Sequence, residues 1–345
     1  MTNSALAQLT LQRFREFIRE PEAMFWTFFF PILIAVALGI AFRGGAASPV
    51  QVAVQDGTHA AAIESALRES GRADVQRLDE RDAVDALRRG DVALVIAVGA
   101  DGSLTYRYDR TREDARLARL VVDDVLQRSA GRTDPRATDD QLITDKGSRY
   151  IDFLIPGLIG LNLLSTGLWG VGYGVVKMRT DRLLKRLATT PIRHSDFLLS
   201  FLLNRIVFLA GELAILLGFA WLAFRVPIRG SLVTLGFVAT LGAFTFTALG
   251  LLIASRTRTV EAVQGWMNLV AVPMWVLSGV FFSAGNFPDA MQPFIQALPL
   301  TALNNALRAI MLEGAGVAGV AGSVAIIAGW GLACFVVAVQ IFRWK

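Results

Sequence analysis

Residues Ile151–Val176 read IDFLIPGLIGLNLLSTGLWGVGYGVV and form a long, almost uncharged stretch. The stretch contains one acidic residue, Asp152, and no lysine or arginine. A helix needs about 20 mainly apolar residues to cross the hydrocarbon core of a bilayer, which is about 30 Å thick. Because lipid offers no hydrogen-bonding partner to an exposed backbone, a segment of this length and composition must be helical. The stretch therefore predicts a transmembrane helix.

Five further stretches meet the same criterion, so the sequence predicts an α-helical polytopic membrane protein with six transmembrane helices. The six predicted spans are Met24–Phe42, Ile151–Val176, Phe197–Phe224, Ser231–Ala254, Ala262–Ser283 and Val317–Phe342. The composition agrees, because 18% of the residues are charged, whereas soluble domains carry about 25%. An ordinary globular enzyme with a single core, a disordered protein and a coiled coil are thereby excluded.

A polar segment, residues 43–149, separates the first span (24–42) from spans two to six, which occupy 150–345. In this segment 36 of the 107 residues are charged. Apolar and polar residues alternate over Val50–Gln55, which is typical of a strand, and stretches with helical and strand patterns follow in turn. We predict that 43–149 folds as a small inserted α/β domain.

Lysine and arginine residues are distributed unevenly between the two sides of the predicted membrane. If the N-terminus lies in the cytoplasm, 13 of them fall in cytoplasmic segments and three in the short outer loops. Short cytoplasmic loops are enriched in basic residues. The bias therefore predicts a multi-pass protein with both termini in the cytoplasm and with residues 43–149 outside it.

Two segments outside the spans also carry helical patterns. The leader 1–23 places Phe14 and Ile18 on an apolar face opposite basic residues, which predicts an amphipathic helix lying in the membrane interface. Residues 287–314 are too polar and too rich in proline to span. We expect them to form an outer helical hairpin around Pro299, which either lies on the surface or, as we favour, re-enters the outer leaflet.

The sequence shows no motif for catalysis or phosphate binding. None of its four lysines follows the glycine loop of a Walker A motif. His59 and His194 lie too far apart to suggest a zinc site, and the single Cys334 excludes a disulfide within the chain. Gly167–Gly174 lies inside a span, where glycines permit close helix packing. We therefore predict a protein that is not an enzyme and binds no metal or cofactor, with basic residues that face the membrane surface and not nucleic acid.

Polar residues within predicted spans are candidates for function, because a bilayer makes them costly. Asp152 begins the second span, where a solvated carboxylate at a helix N-terminus is the favoured interpretation. Arg205 and Glu212 lie seven residues apart on one helix face, and a structural ion network, a subunit interface and substrate contact all stay open. Interhelical hydrogen bonding is the favoured role of Asn268.

The loop 177–196 is strongly basic and contains a short helical pattern. Leu183, Leu184 and Leu187 fall on one face of this pattern, which Pro191 ends. The leucines either dip into the membrane interface or form a docking helix for a cytosolic partner.

These features together resemble the permease subunits of type-2 ABC exporters, in the subgroup with a large extracytoplasmic domain between spans one and two. The resemblance rests on the leader ending at Pro21, on the segment Asp181–Pro191, and on four runs before the last span. Those runs are Ser278-Gly279-Val280-Phe281-Phe282, Phe287-Pro288, Leu298-Pro299-Leu300-Thr301 and Ala306-Leu307-Arg308-Ala309. The chain departs from the family pattern in lacking the Glu-Gly pair that often precedes the coupling helix.

The resemblance implies a division of labour between polypeptides. Two permease copies, identical or different, would pair in the lipid of a bacterial-type plasma (inner) membrane. Two copies of a cytosolic ABC ATPase, which holds ATP and Mg, would dock beneath them. The residues implied in coupling to that ATPase are Asp181, Leu183, Leu184, Arg186, Leu187, Thr189 and Pro191. The exported substrate would be amphipathic, lipid-like or drug-like and would leave the cytoplasm or the inner leaflet.

Two other functions compete with this one. A secondary transporter driven by an ion gradient should show intramembrane acids and an internal repeat. Glu212 is the only deep carboxylate, and the two halves show no repeat. A membrane sensor that uses residues 43–149 would need a cytosolic signalling domain, for which the loops are too short.

Overall fold

A computed structural model describes residues 11, 14, 15, 18–42, 49–99, 102–133, 135, 136, 149–181 and 194–341. For residues 23 and 194–203 it describes the backbone alone. The chain divides into two compact units. The helical unit consists of Met1–Phe42 and Thr144–Lys345, and the sheet unit of Arg43–Ile143.

The sheet unit is a small mixed α/β fold, as predicted. Its described strands are Val50–Gln55, Ala73–Leu78, Leu94–Val98 and Leu104–Arg107, and its described helices are Ala60–Glu69, Glu80–Arg89 and Glu113–Ser129. In the sheet the strands follow the order two, one, three, four. The first strand pairs in parallel with the second and third, and the fourth is antiparallel to the third.

The first strand is covered on both faces. Val52 and Val54 pack with the helices Ala60–Glu69 and Glu113–Ser129, while Ala53 packs on the opposite face with the helix Glu80–Arg89. A parallel strand covered in this way is apolar on both sides. This explains why three consecutive residues of the strand are fully buried.

Local signals fix the helix Glu80–Arg89. The Asp79 carboxylate accepts a hydrogen bond of 2.7 Å from the Asp82 backbone N–H, which satisfies one of the free donors of the first turn. Gly90 ends the helix with a φ of 81°, a left-handed conformation that glycine adopts without strain.

One tyrosine joins the last strand to the helix Glu113–Ser129. The Tyr106 hydroxyl donates to an Asp123 carboxylate oxygen at 3.0 Å, and the Arg119 guanidinium lies 3.9 Å from the centre of the ring. Burial, followed by the hydrogen bond to Asp123, raises the pKa of Tyr106 to about 12.

The described part of the helical unit contains five helices that are long and apolar enough to cross a membrane. In chain order, and called helices two to six from here on, they are Tyr150–Thr180, Asn204–Phe224, Leu232–Ala254, Val260–Leu277 and Val317–Ile341. Helix three is the continuation of a helix that begins at His194. Phe25–Ala41, called helix one, is also apolar but shorter. A mostly helical membrane protein is thus confirmed, and the count of six spans stays a prediction.

Helix five ends earlier than the predicted span Ala262–Ser283. Its last residue is Leu277, and Gly279 has a φ of 69°. A left-handed glycine just after the last turn is a common helix terminator. The predicted span extends to Ser283 because the residues that follow Gly279, Val280 to Phe282, are also apolar.

Helices two and four touch backbone to backbone at glycines. The middle of helix two, Thr166–Tyr173, is π-helical. A Cβ atom added to Gly167 would lie 2.6 Å from the Phe246 Cβ, and one added to Gly250 would lie 2.6 Å from the Gly167 carbonyl oxygen. A side chain at either position would force the helices apart, so small residues set their spacing.

A short helix, Pro299–Arg308, packs within the helical unit. It follows the helix Gln292–Ala297 and begins with proline, whose missing N–H would have no partner at this position. Its buried residues are Pro299, Leu300, Thr301, Ala302, Leu303, Asn304, Ala306 and Leu307. The helix contacts helices two, four and six. Both short helices lie within 287–314, and whether they re-enter the bilayer stays a prediction.

The glycine contact predicts a difference between two neighbouring substitutions. Gly167→Ala should lower the free energy of unfolding by about 1–3 kcal/mol, because it overpacks a tight contact. Gly170 lies on the same π-helical segment and has no atom within 4 Å of an added Cβ. Gly170→Ala should therefore leave stability unchanged. Thermal unfolding of the full chain in detergent, followed by tryptophan fluorescence, measures both. Equal melting temperatures for the two variants would contradict the contact.

Candidate functional site

The described part of the leader meets helix three. The Phe14 ring stacks on the Phe208 ring with their centroids 5.4 Å apart. Leu11 and Ile18 are each 49% exposed, and Arg15 is exposed as well. The other residues of 1–17 that carry the predicted amphipathic pattern lie outside the described residues.

Most of the predicted coupling segment also lies outside the described residues. This holds for Leu183, Leu184, Arg186, Leu187, Thr189 and Pro191. Asp181 is described, and it is exposed directly after helix two. Its backbone N–H donates to the Lys177 carbonyl oxygen at 2.9 Å. The structure therefore shows the end of helix two, after which the predicted coupling segment begins.

At this end of helix two, Arg179 ties the helix to the end of helix four. Its Nη1 donates to the carbonyl oxygens of Ala254 at 2.8 Å and Thr257 at 2.6 Å, and its Nη2 donates to that of Ser255 at 3.5 Å. The last carbonyls of a helix lack partners within the helix and carry partial negative charge, so a guanidinium stabilises them. The sequence shows Arg179 only as one of several basic residues in the loop 177–196, so it does not predict this contact.

Asp152 is fully buried and paired. Arg149 donates from Nε and Nη2 to its two carboxylate oxygens at 2.9 and 2.8 Å, and the Arg149 backbone N–H donates to Oδ2 at 3.3 Å. The residue does lie in the first turn of helix two. The interpretation as a solvated carboxylate was wrong, because Asp152 is buried against the half-exposed Arg149, three positions earlier, whose guanidinium pairs with its charge. The Arg149–Asp152 pair therefore stabilises the first turn of helix two.

Arg205 and Glu212 pair with each other directly. Arg205 Nη1 and Nη2 donate to the two Glu212 carboxylate oxygens at 2.6 and 3.1 Å. Both lie on the buried stripe of helix three that also contains Leu209, Leu216 and Ala220. A bidentate pair buried within one chain keeps its charges from a second copy, so the geometry favours the structural role over a subunit interface.

Asn268 lies on an exposed face of helix five. Glu261 and Gln264, seven and four positions before it, are exposed on the same face. The Asn268 side chain shows no hydrogen bond to any residue that the structure describes. The favoured interhelical bond is therefore absent from the described part of this chain, and the polar face is open to lipid or to another molecule.

Two of the runs that carry the resemblance meet in the structure. The Asn304 amide donates to the Ser278 carbonyl oxygen at 2.9 Å. The Arg308 guanidinium donates to the Gly279 carbonyl oxygen and, at 3.3 Å, to that of Phe153. Arg308 also lies 3.7 Å from the centre of the Phe153 ring. The short helix is thus bonded to the end of helix five and to the start of helix two.

Glycines of helix two make room for this meeting. A Cβ added to Gly160 would overlap the Asn304 side-chain oxygen, and one added to Gly157 would lie 2.5 Å from the Val280 carbonyl oxygen. A Cα hydrogen of Gly160 therefore points at the amide oxygen of Asn304, which is the geometry of a weak Cα–H···O bond. The runs that carry the resemblance flank Asn304 in sequence, but they include neither of these glycines.

In the part of the chain that the structure describes, no group of three or more His, Cys, Asp or Glu side chains could hold a metal ion. A family model described as ABC-2 family transporter protein matches residues 22–339. The chain belongs to the ABC-2 family of transporters. The resemblance to type-2 ABC permeases is thereby confirmed, and this ABC-2 protein is a multi-pass membrane component.

Curated relatives of the ABC-2 protein include transporters from distant organisms. It is 31% identical to "ABC transporter G family member 20" of Dictyostelium discoideum over 170 residues, which are 49% of this chain and 23% of that protein. It is 28% identical to "Probable multidrug ABC transporter permease YbhS" of Escherichia coli strain K12 over 165 residues, 47% of this chain and 43% of the relative. It is 25% identical to "Nodulation protein J" of Bradyrhizobium diazoefficiens over 185 residues, 49% and 64% of the two chains. The matched part spans less than two thirds of each relative.

The buried ion pair of the ABC-2 protein predicts a double-mutant result. Arg205→Met alone should lower the free energy of unfolding by about 3–5 kcal/mol, because it leaves the Glu212 carboxylate buried without its partner. Adding Glu212→Leu should recover most of that loss, since an apolar pair needs no counter-ion. Thermal unfolding of both variants in detergent gives the comparison. A double variant as unstable as the single one would show that the pair is not the source of the effect.

Proposed function

We propose that this ABC-2 protein is the transmembrane permease subunit of an ATP-driven exporter. The observation that carries the proposal is the family match over residues 22–339, a range in which the sequence has no Walker A loop. In this proposal a cytosolic ABC ATPase subunit binds ATP and Mg and hydrolyses the ATP. The permease itself is then not an enzyme and holds no cofactor.

The proposed topology has both termini in the cytoplasm of a bacterial-type plasma (inner) membrane. The distribution of 13 basic residues against three supports it. The end of helix two at Thr180 and the turn between helices four and five then lie on the cytoplasmic side. The sheet unit and the short helix Pro299–Arg308 lie on the outer side, and helix one completes six spans.

The proposed export route lies between two permease copies, identical or different. The exposed polar face of helix five, with Glu261, Gln264 and Asn268, supports it, because such a face is costly against lipid. A second copy would cover this face and leave a path with polar and apolar walls. An amphipathic, lipid-like or drug-like substrate from the cytoplasm or the inner leaflet suits such a path. One relative bears the name of a multidrug permease.

The buried ion pair favours ATP over an ion gradient as the source of energy. A gradient-driven transporter uses intramembrane carboxylates that exchange protons or bind ions. Both oxygens of Glu212 accept from Arg205 inside the helical unit, and the residue is 4% exposed. This carboxylate is therefore occupied by a structural partner.

Docking of two ATPase copies through the coupling segment gives the test of the proposal. The combined change Leu183→Asp and Leu187→Asp should remove the apolar docking face while the protein stays in the membrane. We expect the stimulation of the partner's ATP hydrolysis to fall about tenfold or more, as at an interface hot spot. Purified complex in liposomes gives the rate of hydrolysis.

The matched control changes two exposed leucines of the sheet unit. Leu117 and Leu120 are 55% and 68% exposed. Leu117→Asp with Leu120→Asp should leave the stimulation at the level of the unchanged protein. Normal stimulation by the Leu183 and Leu187 double variant would show that the docking assignment is wrong.

A further inference from the structure

We propose that Arg179 is the positioning residue that passes movement of the coupling segment to helices four and five. The inference rests on the proposed function, since it takes the segment after helix two to be moved by a cytosolic ATPase. Arg179 precedes Asp181, the first residue of that segment, by two positions. A displacement of the segment therefore reaches Arg179 within one helical turn.

The partners of Arg179 lie on the turn between two spans. Helix four ends at Ala254 and helix five begins at Val260. The guanidinium donates to carbonyl oxygens at the first end of this turn and at its middle, Ala254, Ser255 and Thr257. One side chain of helix two thus holds the place where the chain passes from helix four into helix five.

Hydrogen bonds tie the turn to both of the helices that it joins. The Ser255 hydroxyl donates to the Leu251 carbonyl oxygen at 2.7 Å, and the Thr257 hydroxyl to that of Ile253 at 2.5 Å. At the other end, the Thr259 hydroxyl oxygen accepts from the Ala262 backbone N–H at 3.3 Å and caps helix five. A pull on the turn therefore shifts both helix ends.

The chemistry of the contact needs arginine. A planar guanidinium presents several N–H donors in a fixed fork, so it can bind carbonyl oxygens in different directions at once. Its charge also faces the negative end of the helix-four dipole. Lysine keeps the charge but offers one compact ammonium, and leucine keeps neither. These substitutions therefore separate loss of the fork from loss of the charge.

The test measures movement of helix five and needs no knowledge of the substrate. A spin label is placed on Ala262→Cys, an exposed position at the start of helix five, in a Cys334→Ala background. The complex with its copurified ATPase is reconstituted in phosphatidylethanolamine and phosphatidylglycerol liposomes. Distances between the labels of the two permease copies are measured by double electron–electron resonance, without nucleotide and with ATP and vanadate. Binding of the ATPase and its rate of hydrolysis are recorded in parallel.

We expect ATP and vanadate to shift the label distance in the background protein. Arg179→Leu should reduce the shifted population about fivefold or more, the scale of a typical coupling free energy, while the ATPase stays bound and hydrolyses ATP. Arg179→Lys should give an intermediate shift. The matched control is Arg256→Leu, the same change at an exposed position of the same turn, which should leave the shift intact.

A full shift in Arg179→Leu overturns the inference. If that variant does not reach the membrane, the shift of Arg179→Lys is compared with that of Arg256→Leu. A smaller shift in Arg179→Lys supports the inference, and an equal shift overturns it. A background protein that binds no ATPase would instead refute the proposed function, and the inference with it. Bound ATPase with an unimpaired shift in the variants refutes the inference alone.

Discussion

The backbone contact between Gly167 of helix two and Gly250 of helix four sets the architecture of the helical unit. Lipid gives helices no hydrophobic reason to associate, so close packing of small residues has to hold them together. Helix two uses the same device again towards its start, where Gly157 and Gly160 admit the Val280 backbone and the Asn304 side chain. A larger residue at these positions would separate helix two from helix four, from the short helix and from the end of helix five.

Helix two consequently holds helix five at both ends. Arg179 binds the turn before helix five, and Gly157, together with the Arg308 contacts to Phe153 and Gly279, fixes the turn after it. One face of helix five is buried along its length, and the face that carries Gln264 and Asn268 remains exposed. A helix held at its ends and open along a polar face suits a moving wall of an export route, which links the packing of glycines to the proposed transport.

The sequence predicted the parts of the fold that depend on composition and period. Alternation over Val50–Gln55 identified a strand, and long apolar stretches identified the helices. The sequence did not predict side-chain partners, because spacing shows which face a residue shares and not what covers that face. Asp152 therefore looked solvated until Arg149 was seen to cover it. Spacing placed Arg205 and Glu212 on one face, but their direct pairing depends on rotamers. Arg179 resembled any basic loop residue, since its partners are backbone carbonyls about 75 residues away.

Reconstitution with and without the copurified ATP-binding subunit tests whether another polypeptide supplies the energy for transport, as we propose. Liposomes carrying a fluorescent phospholipid report transport, and phosphate release reports hydrolysis. We expect no hydrolysis by the chain alone, and both hydrolysis and ATP-dependent phospholipid movement when the subunit is present. Hydrolysis by the chain alone, or movement driven by a proton gradient without ATP, would contradict it.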